Sequence, residues 1–236
     1  FSAEEVLSKI NEKTRLIILN SPANPTGGVV PRGEFSALIE GLHKWPDVAI
    51  MSDEIYGQML YDDREHVSLI RYPEIIDRLI LLDGWSKTYA MTGWRLGYSV
   101  WPKNVAPHAE KLCVNIHSCV NSSAQFAGIA ALTGDQSPVE TMVSAFNERR
   151  IIIVNELNKI PGFSCINPGG AFYAFPNITQ TGLRSDELQK KLLEEAGVAV
   201  ISGTSFGQHG EGYLRFSYAN STENILKAID AIKRCL

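Results

Sequence analysis

The chain has 236 residues, of which 44% are hydrophobic and 20% are charged, and its formal net charge is −4 at pH 7. This length can bury one large or two modest hydrophobic cores. The weakly acidic balance argues against a nucleic-acid partner and against a polybasic membrane patch, and no apolar run is long enough to span a bilayer. The cysteines lack CxxC spacing, which favours reduced thiols in a cytoplasmic protein over disulfides or a metal site; they are Cys113, Cys119, Cys165 and Cys235.

Apolar strands and helices alternate over the first half of the chain. Ser2 as N-cap and Glu5 three residues later predict a helix at the start. The strands are continuous apolar runs, which is typical of a mostly parallel sheet covered on both faces. The predicted segments, in chain order, are a helix at 2–10, a strand at 15–20, a helix at 32–45, and strands at 48–56, 78–85 and 95–101.

The second half begins with helices and then changes character. Residues 104–133 are predicted to be helical with an irregular middle, and a long helix follows at about 138–160, with Ser137 as its cap. Short strands at 163–167, 170–175, 198–202 and 213–218 and two further helices at 185–197 and 221–235 come after it, which is typical of a smaller α+β domain. We therefore predict a larger domain at 1–137 and a smaller C-terminal domain at 138–236.

Two residues at predicted strand ends stand out for their chemistry. Lys87 follows the strand at 78–85, where a partly desolvated amine can act as a nucleophile, although an isolated lysine there would ordinarily be a solvated loop residue. Asp53 ends an apolar strand and could pair with a protonated ring nitrogen or a metal, or simply cap a turn. No comparable functional role is indicated for its neighbour Glu54, which is expected to be solvated.

Five more polar or aromatic residues accompany them. Arg95 lies between glycines in "GWRLGY" and carries a fork suited to phosphate, and Ser86 adds a hydroxyl next to Lys87. Tyr56 follows Asp53 closely, and Asn24 precedes a proline in a rigid turn. Arg215 lies in a half-buried strand, so we expect it to pair with a carboxylate, either internal or from a substrate.

The motifs "NPTGG", "SDEIY", "SKTYAMTGWRLGY" and "GGAFYAF", followed by Arg215, occur in this order along the chain. The chain thereby resembles the class I/II aminotransferases, in the aspartate-aminotransferase-like branch of the pyridoxal-phosphate-dependent fold type I superfamily. The resemblance covers essentially all residues. It implies an α/β fold, in which part of the mostly parallel sheet of the large cofactor-binding domain precedes a smaller C-terminal α+β domain.

The resemblance also implies a role for each residue. Lys87 would hold the cofactor, pyridoxal 5'-phosphate, covalently and move the proton at the substrate α-carbon. Asp53 would keep the ring nitrogen protonated, and no metal would be needed. The other expected contacts are Tyr56 and Asn24 with the phenolic oxygen, Arg95 and Ser86 with the phosphate, and Arg215 with the substrate α-carboxylate.

Three departures from the family pattern matter. Gly84 replaces a serine often found three residues before the lysine, and Ser202 stands where a proline is expected. The chain also starts at Phe1, without the glycine-rich phosphate loop, the ring-stacking aromatic residue and the first sheet strands of family members. We therefore expect the C-terminal portion of such an enzyme, inactive alone and exposing two sheet edges.

The resemblance leaves function classes and partners open. A carbon–sulfur β-lyase of the same fold shares these motifs, and a non-catalytic aminotransferase-like sensor domain of a regulator would bind the cofactor without turnover. For a transaminase, the partners would be an amino acid and a 2-oxo acid, and the intact protein would be a cytoplasmic homodimer. The stretch Asn121 to Gln125 resembles a region that approaches the partner subunit's site. No second cation for an acidic substrate is evident.

Overall fold

The computed structural model describes residues 1–236, which form two compact units. The first unit contains residues 1–22 and 29–139, and the second contains residues 23–28 and 140–236. None of the helices combines the length and the apolar character that crossing a membrane requires. The boundary at residues 137 and 138 stays a prediction, and the assignment of residues 23–28 to the second unit was not foreseen from the sequence.

A four-stranded sheet forms the centre of the first unit, in the order β1-β2-β3-β4. The strands β1, β2 and β3 are parallel, and β4 pairs with β3 in the antiparallel direction. The prediction of an α/β fold with a mostly parallel sheet is therefore confirmed. The strands are β1 (Leu16–Asn20), β2 (Ala49–Asp53), β3 (Leu79–Gly84) and β4 (Gly97–Val100).

Five helices accompany this sheet, and the core lies between the first two helices and the strands. Ser2 caps the first helix by accepting a hydrogen bond from the Glu5 N–H at 3.1 Å, as predicted. Leu38, Leu42 and Ile50 are almost fully buried in the core, because helix and strand present apolar faces to each other. The helices are α1 (Ala3–Lys9), α2 (Arg32–Gly41), α3 (Trp85–Thr88), α4 (Ala106–His117) and α5 (Ser122–Thr133).

Apolar side chains are exposed at the sheet edges and on two helices. Ile18 on the edge strand β1 is 66% exposed, and Phe126 on α5 is 75% exposed. The strand β4, at the other edge, is exposed along its length. Such edges and faces are surfaces on which further polypeptide can pair or pack.

The second unit combines helices with a small antiparallel sheet in the order β5-β7-β6. Two predictions made for this half are wrong in detail. Residues 163–167 form no extended strand: Ser164 makes only an isolated bridge with Asn177, and the Asn158 side chain bonds both the N–H and the carbonyl of Cys165. The long helix starts at Ser137 rather than after it, and the Asp135 carboxylate accepts from the Ser137 N–H at 3.0 Å. The elements are α6 (Ser137–Leu157), β5 (Tyr173–Ala174), α7 (Ser185–Ala196), β6 (Ile201–Ser202), β7 (Leu214–Ser217) and α8 (Thr222–Cys235).

Candidate active site

Three of the predicted site residues come together where the inner strands β2 and β3 of the first unit's sheet end: Asp53, Tyr56 and Lys87. Asp53 ends β2, and its register partner on the parallel strand β3 is Leu82, so the segment after β3 lies beside Asp53. The Lys87 Nζ lies 5.9 Å from the centre of the buried Tyr56 ring. The carboxyl ends of parallel strands lie at the same end of the sheet, and open α/β sheets bind their ligands there.

The Asp53 carboxyl group is half-buried, and some of its surroundings raise its pKa while others lower it. Burial raises the pKa of Asp53, and the negative charge of Glu54 adds to that effect. The Ile55 N–H, which donates to Asp53 Oδ1 at 3.3 Å, and the positive charge of Lys87 lower the pKa of Asp53. Because burial raises the pKa of Asp53 overall, a cationic ligand atom beside this carboxylate would stabilise its charged form.

The turn that carries Lys87 and Ser86 is fixed by neighbouring backbone and by α5. The Thr92 hydroxyl donates to the Ser86 carbonyl at 3.0 Å, and the Trp85 indole N–H donates to the Gly128 carbonyl at 3.0 Å. A side chain at Gly128 would collide with Leu96 and crowd Trp85, which shows how closely α5 approaches the turn. The lysine therefore sits on a well-supported turn and not on a free loop.

Gly84 explains one departure from the family pattern. A Cβ atom at this position would lie 2.8 Å from the Gly97 Cα and 2.9 Å from the Leu96 carbonyl oxygen, both of which belong to backbone. The strands β3 and β4 approach each other closely here, so the serine that often stands at this position has no room.

Replacing Gly84 with serine is expected to destabilise the first unit, although it would restore the usual family residue. The clash involves backbone atoms that cannot rotate away, and overpacking of this kind costs about 1–3 kcal/mol. Gly93→Ser is the matched control, because a Cβ atom there meets nothing within 4 Å. Urea unfolding of the two variants should show a loss of stability for Gly84→Ser alone, and equal midpoints would contradict this account.

Arg95 borders a large open cleft of about 1070 Å³ in the first unit. Its backbone is left-handed, with φ 55°, and its guanidinium donates to the Thr92 carbonyl at 3.0 Å. The opposite wall of the cleft comes from the end of α4, the start of α5 and the connection between them, including Asn121. An exposed guanidinium at the rim of such a cleft is suited to an anionic group such as phosphate.

The remaining two predicted site residues, Asn24 and Arg215, meet in the second unit although 191 positions separate them in sequence. The Arg215 guanidinium donates to Asn24 Oδ1 at 2.9 Å. We expected a carboxylate partner for Arg215, either internal or from a substrate; within the chain the partner is this amide, and a substrate carboxylate stays a prediction. The Asn24–Pro25 peptide bond is cis.

Two aromatic rings hold the Arg215 guanidinium. Its central carbon lies 4.7 Å from the centre of the Tyr173 ring and 5.0 Å from that of Phe206. Its Nε atom is buried and has no hydrogen-bond partner. The Arg215 side chain is half-buried as a whole, and a flat guanidinium held against two rings presents its other N–H groups in one plane, which suits a carboxylate.

Glu54 is the residue that the sequence interpretation got wrong. It was expected to be solvated, but it is only 5% exposed and accepts hydrogen bonds from the Ser52 hydroxyl and the Leu69 N–H. Its other oxygen lies 2.7 Å from His66 Nε2. The signal available in the sequence was the strand periodicity, because Ser52 and Glu54 alternate with Asp53 and therefore point to the opposite face.

Comparison with known proteins identifies the family. The family model "Aminotransferase class I and II" matches residues 1–232. An aspartate aminotransferase of Pyrococcus horikoshii is 42% identical, over 98% of this chain and 59% of its own length. An aromatic-amino-acid aminotransferase of Thermococcus litoralis is 36% identical, over 100% of this chain and 60% of its own length.

Solved structures agree with the sequence comparison. The aromatic aminotransferase from Pyrococcus horikoshii has a TM-score of 0.95 at 36% identity, over 99% of this chain and 63% of that chain. The aspartate aminotransferase from Thermus thermophilus with maleate has a TM-score of 0.92 at 34% identity, over 100% of this chain and 60% of that chain.

The chain thus spans about 60% of the length of the curated relatives that it matches. This share agrees with the expectation of a partial enzyme, and the expectation that it is the C-terminal portion stays a prediction, because shares of length give no position. The match over residues 1–232 shows that the chain belongs to the class I and II aminotransferase family.

Proposed function

We propose that this chain is the part of an aminotransferase that binds pyridoxal 5'-phosphate and moves an amino group between an amino acid and a 2-oxo acid. The observation that supports it most is the grouping of Asp53, Tyr56 and Lys87 at the carboxyl ends of β2 and β3. The activity is proposed for a polypeptide of the relatives' full length, and the 236-residue chain is expected to be inactive by itself.

The residues present fit the cofactor. Asp53 offers a half-buried carboxylate for a protonated ring nitrogen, and Lys87 supplies an amine for the aldehyde. Tyr56 and Asn24 would hydrogen-bond the phenolic oxygen. Ser86 and Arg95 would hold the phosphate, for which Arg95 has the exposed guanidinium at the cleft. When bound, pyridoxal phosphate supplies an electron sink for the electrons of the substrate α-carbon.

The chain's own residues would then bind, orient and move a proton. Arg215 would bind the substrate α-carboxylate through the N–H groups that Asn24 does not occupy, and its orientation is constrained by Tyr173 and Phe206. Fixing that carboxylate selects which bond to the α-carbon is broken. Lys87 would take the proton from the α-carbon and return it as a general base and acid.

The assembly is part of the same proposal. We infer a homodimer for the intact enzyme, acting in the cytoplasm on small-molecule substrates. Exposed apolar side chains on α4 and α5 support a contact surface for another subunit. A helix face that stays in water rarely carries so many of them. They are Leu112, Val114, Ile116, Phe126, Ile129 and Leu132.

Borohydride reduction after addition of pyridoxal phosphate tests the proposal directly. The expected result is one cofactor per chain, attached to Lys87 in peptide mass spectra, together with a visible absorption band that Lys87→Ala loses. The reason is that Lys87 lies beside Asp53, the carboxylate that would hold the ring, at the carboxyl ends of β2 and β3. Lys44→Ala is the matched control, because Lys44 is an exposed lysine of the same unit.

Attachment spread over exposed lysines, with the same band in the Lys87→Ala variant, would refute the proposed cofactor role. In the longer enzyme, release of ammonia and pyruvate from a β-substituted amino acid without an oxo-acid acceptor would instead identify a β-lyase.

A further inference from the structure

Glu54 and His66 form a buried anchor beside the proposed cofactor site. Glu54 follows Asp53 directly, and its N–H donates to the Leu82 carbonyl at 2.9 Å, which continues the pairing of β2 with β3 by one residue. Because successive side chains of an extended chain point to opposite faces, Asp53 faces the site while Glu54 faces the layer behind it. The two carboxylates therefore belong to one rigid stretch of backbone but to different environments.

The Glu54 carboxylate ties the end of a long loop to this stretch. Oε1 accepts from the Ser52 hydroxyl at 2.9 Å and from the Leu69 N–H at 3.0 Å, and Oε2 lies 2.7 Å from His66 Nε2. Ser68 also hydrogen-bonds the carboxylate through its side chain. The hydrogen bonds from His66, Ser68 and Leu69 outweigh burial and keep the pKa of Glu54 below its usual value, so the anchor is a carboxylate.

The turn that carries Tyr56 is built on the same anchor. The Gly57 N–H donates to the Glu54 carbonyl at 2.7 Å, and the Met59 N–H donates to the Tyr56 carbonyl at 2.8 Å. A Cβ atom at Gly57 would lie 3.1 Å from the His66 ring, so the ring packs against this turn. Displacement of His66 would therefore be felt by the backbone between Asp53 and Tyr56.

We propose that Glu54, held by His66, is a positioning residue that sets the placement of Asp53 for the cofactor ring nitrogen. The inference rests on the proposed function for the identity of that ligand, but the coupling between His66 and Asp53 is a property of the cofactor-free chain. The reporter of Asp53 placement is the Ile55 N–H, which donates to Asp53 Oδ1.

Other ionisable groups also face these carboxylates and must stay unchanged in the test. Asp83 and Tyr98 line the small cavity of about 250 Å³ that Glu54 and His66 border, and Lys87 faces Asp53. A variant at Glu54 would alter the charge felt by all of them. A variant at His66 leaves the Glu54 carboxylate in place, so His66 is the position to change.

The experiment compares His66→Phe with His66→Gln in the cofactor-free chain. Phenylalanine keeps a ring but cannot donate to Glu54, whereas glutamine can return an N–H close to the position of Nε2. Hydrogen exchange of the Ile55 amide is expected to rise at least about tenfold in His66→Phe and to recover in His66→Gln, since a hydrogen bond to a charged group is lost and regained. The ¹³C titration of the Asp53 carboxyl should shift and recover in parallel.

His43→Phe is the control, because His43 is an exposed histidine of the same unit. Faster exchange of the Leu69 amide, with the Ile55 amide and the Asp53 titration unchanged, would mean that the anchor only holds the loop and would overturn the inference. Ser68→Ala, which removes a single donor to Glu54, gives the same comparison should His66→Phe not fold.

A second arm measures the dissociation constant for pyridoxal phosphate. It should rise about tenfold in His66→Phe and return in His66→Gln, since the placement of the ring-nitrogen partner is lost and regained. An unchanged dissociation constant in His66→Phe would count against the inference. Absence of Lys87-dependent binding in the unsubstituted chain would count against the proposed function, while the exchange and titration data would still decide whether His66 positions Asp53.

Discussion

Replacing Asp53 with asparagine is expected to weaken pyridoxal phosphate binding and, at the same time, to stabilise the folded chain at neutral pH. Asparagine keeps the oxygen that accepts from the Ile55 N–H, so the local backbone is preserved. It lacks the negative charge that would pair with the ring nitrogen. A hydrogen bond to a charged group contributes about 1.5–3 kcal/mol, which corresponds to about 10- to 150-fold in the dissociation constant.

The gain in stability follows from the direction of the pKa shift. The pKa of Asp53 is raised in the folded chain, so the folded state holds this proton more tightly than the unfolded state does. The ionised carboxylate therefore costs stability above its unfolded value, near pH 3.9, and the cost grows as the pH rises through the folded pKa. Removing the charge should therefore stabilise the folded chain at neutral pH, and the pKa shift gives the sign of this effect.

Urea unfolding at several pH values between 4 and 7 checks this prediction alongside the cofactor titration. The stability difference between Asp53→Asn and the unsubstituted chain should be largest at pH 7 and shrink as the pH falls. Asp77→Asn, at an exposed position of the same unit, is the control. A lower free energy of unfolding for Asp53→Asn than for the unsubstituted chain at pH 7 would contradict the prediction, because the Asp53 charge would then stabilise the folded chain.

Replacing Gly27 with alanine is expected to unfold the loop that presents Asn24 and to cost about 2–5 kcal/mol of stability. The backbone at Gly27 is left-handed, with φ +66°, which costs about 1–2 kcal/mol for an L-residue. A Cβ atom there would also lie 2.3 Å from the Pro168 Cβ and 3.0 Å from the Gly170 carbonyl oxygen. Overpacking against backbone adds about 1–3 kcal/mol.

The same substitution should release Arg215. The Gly27 carbonyl accepts from the Gly169 and Gly170 N–H groups at 2.9 and 3.0 Å. These bonds hold the Asn24 loop against the segment around Gly169 in the same unit. Gly182→Ala is the matched control, because Gly182 has φ +75° but no atom within 4 Å of a Cβ, and it should lose only about 1–2 kcal/mol. Equal unfolding midpoints for the two variants would show that the close packing around Gly27 can relax.

Local patterns were enough to predict most elements of the first unit. The capping pair Ser2 and Glu5 located α1, and continuous apolar runs located β1, β2 and β3. These signals act within a few residues of each other, so they can be read directly from the sequence. The second unit was less predictable, because its strands β5 and β6 are only two residues long. Asn158, just after α6, hydrogen-bonds the Cys165 backbone, and residues 163–167 pair only through the isolated bridge of Ser164 with Asn177.

The sequence by itself determined the family, because four motifs in order with Lys87 and Arg215 are specific to it and the family model matches residues 1–232. It also determined which residues carry reactive groups, since an amine, a carboxylate or a guanidinium is a property of the residue. Only the tertiary structure decided their partners. Burial and hydrogen bonding depend on residues distant in sequence. Glu54 is therefore a buried partner of His66, a side chain at Gly84 would clash with backbone, and Arg215 pairs with the Asn24 amide within the chain.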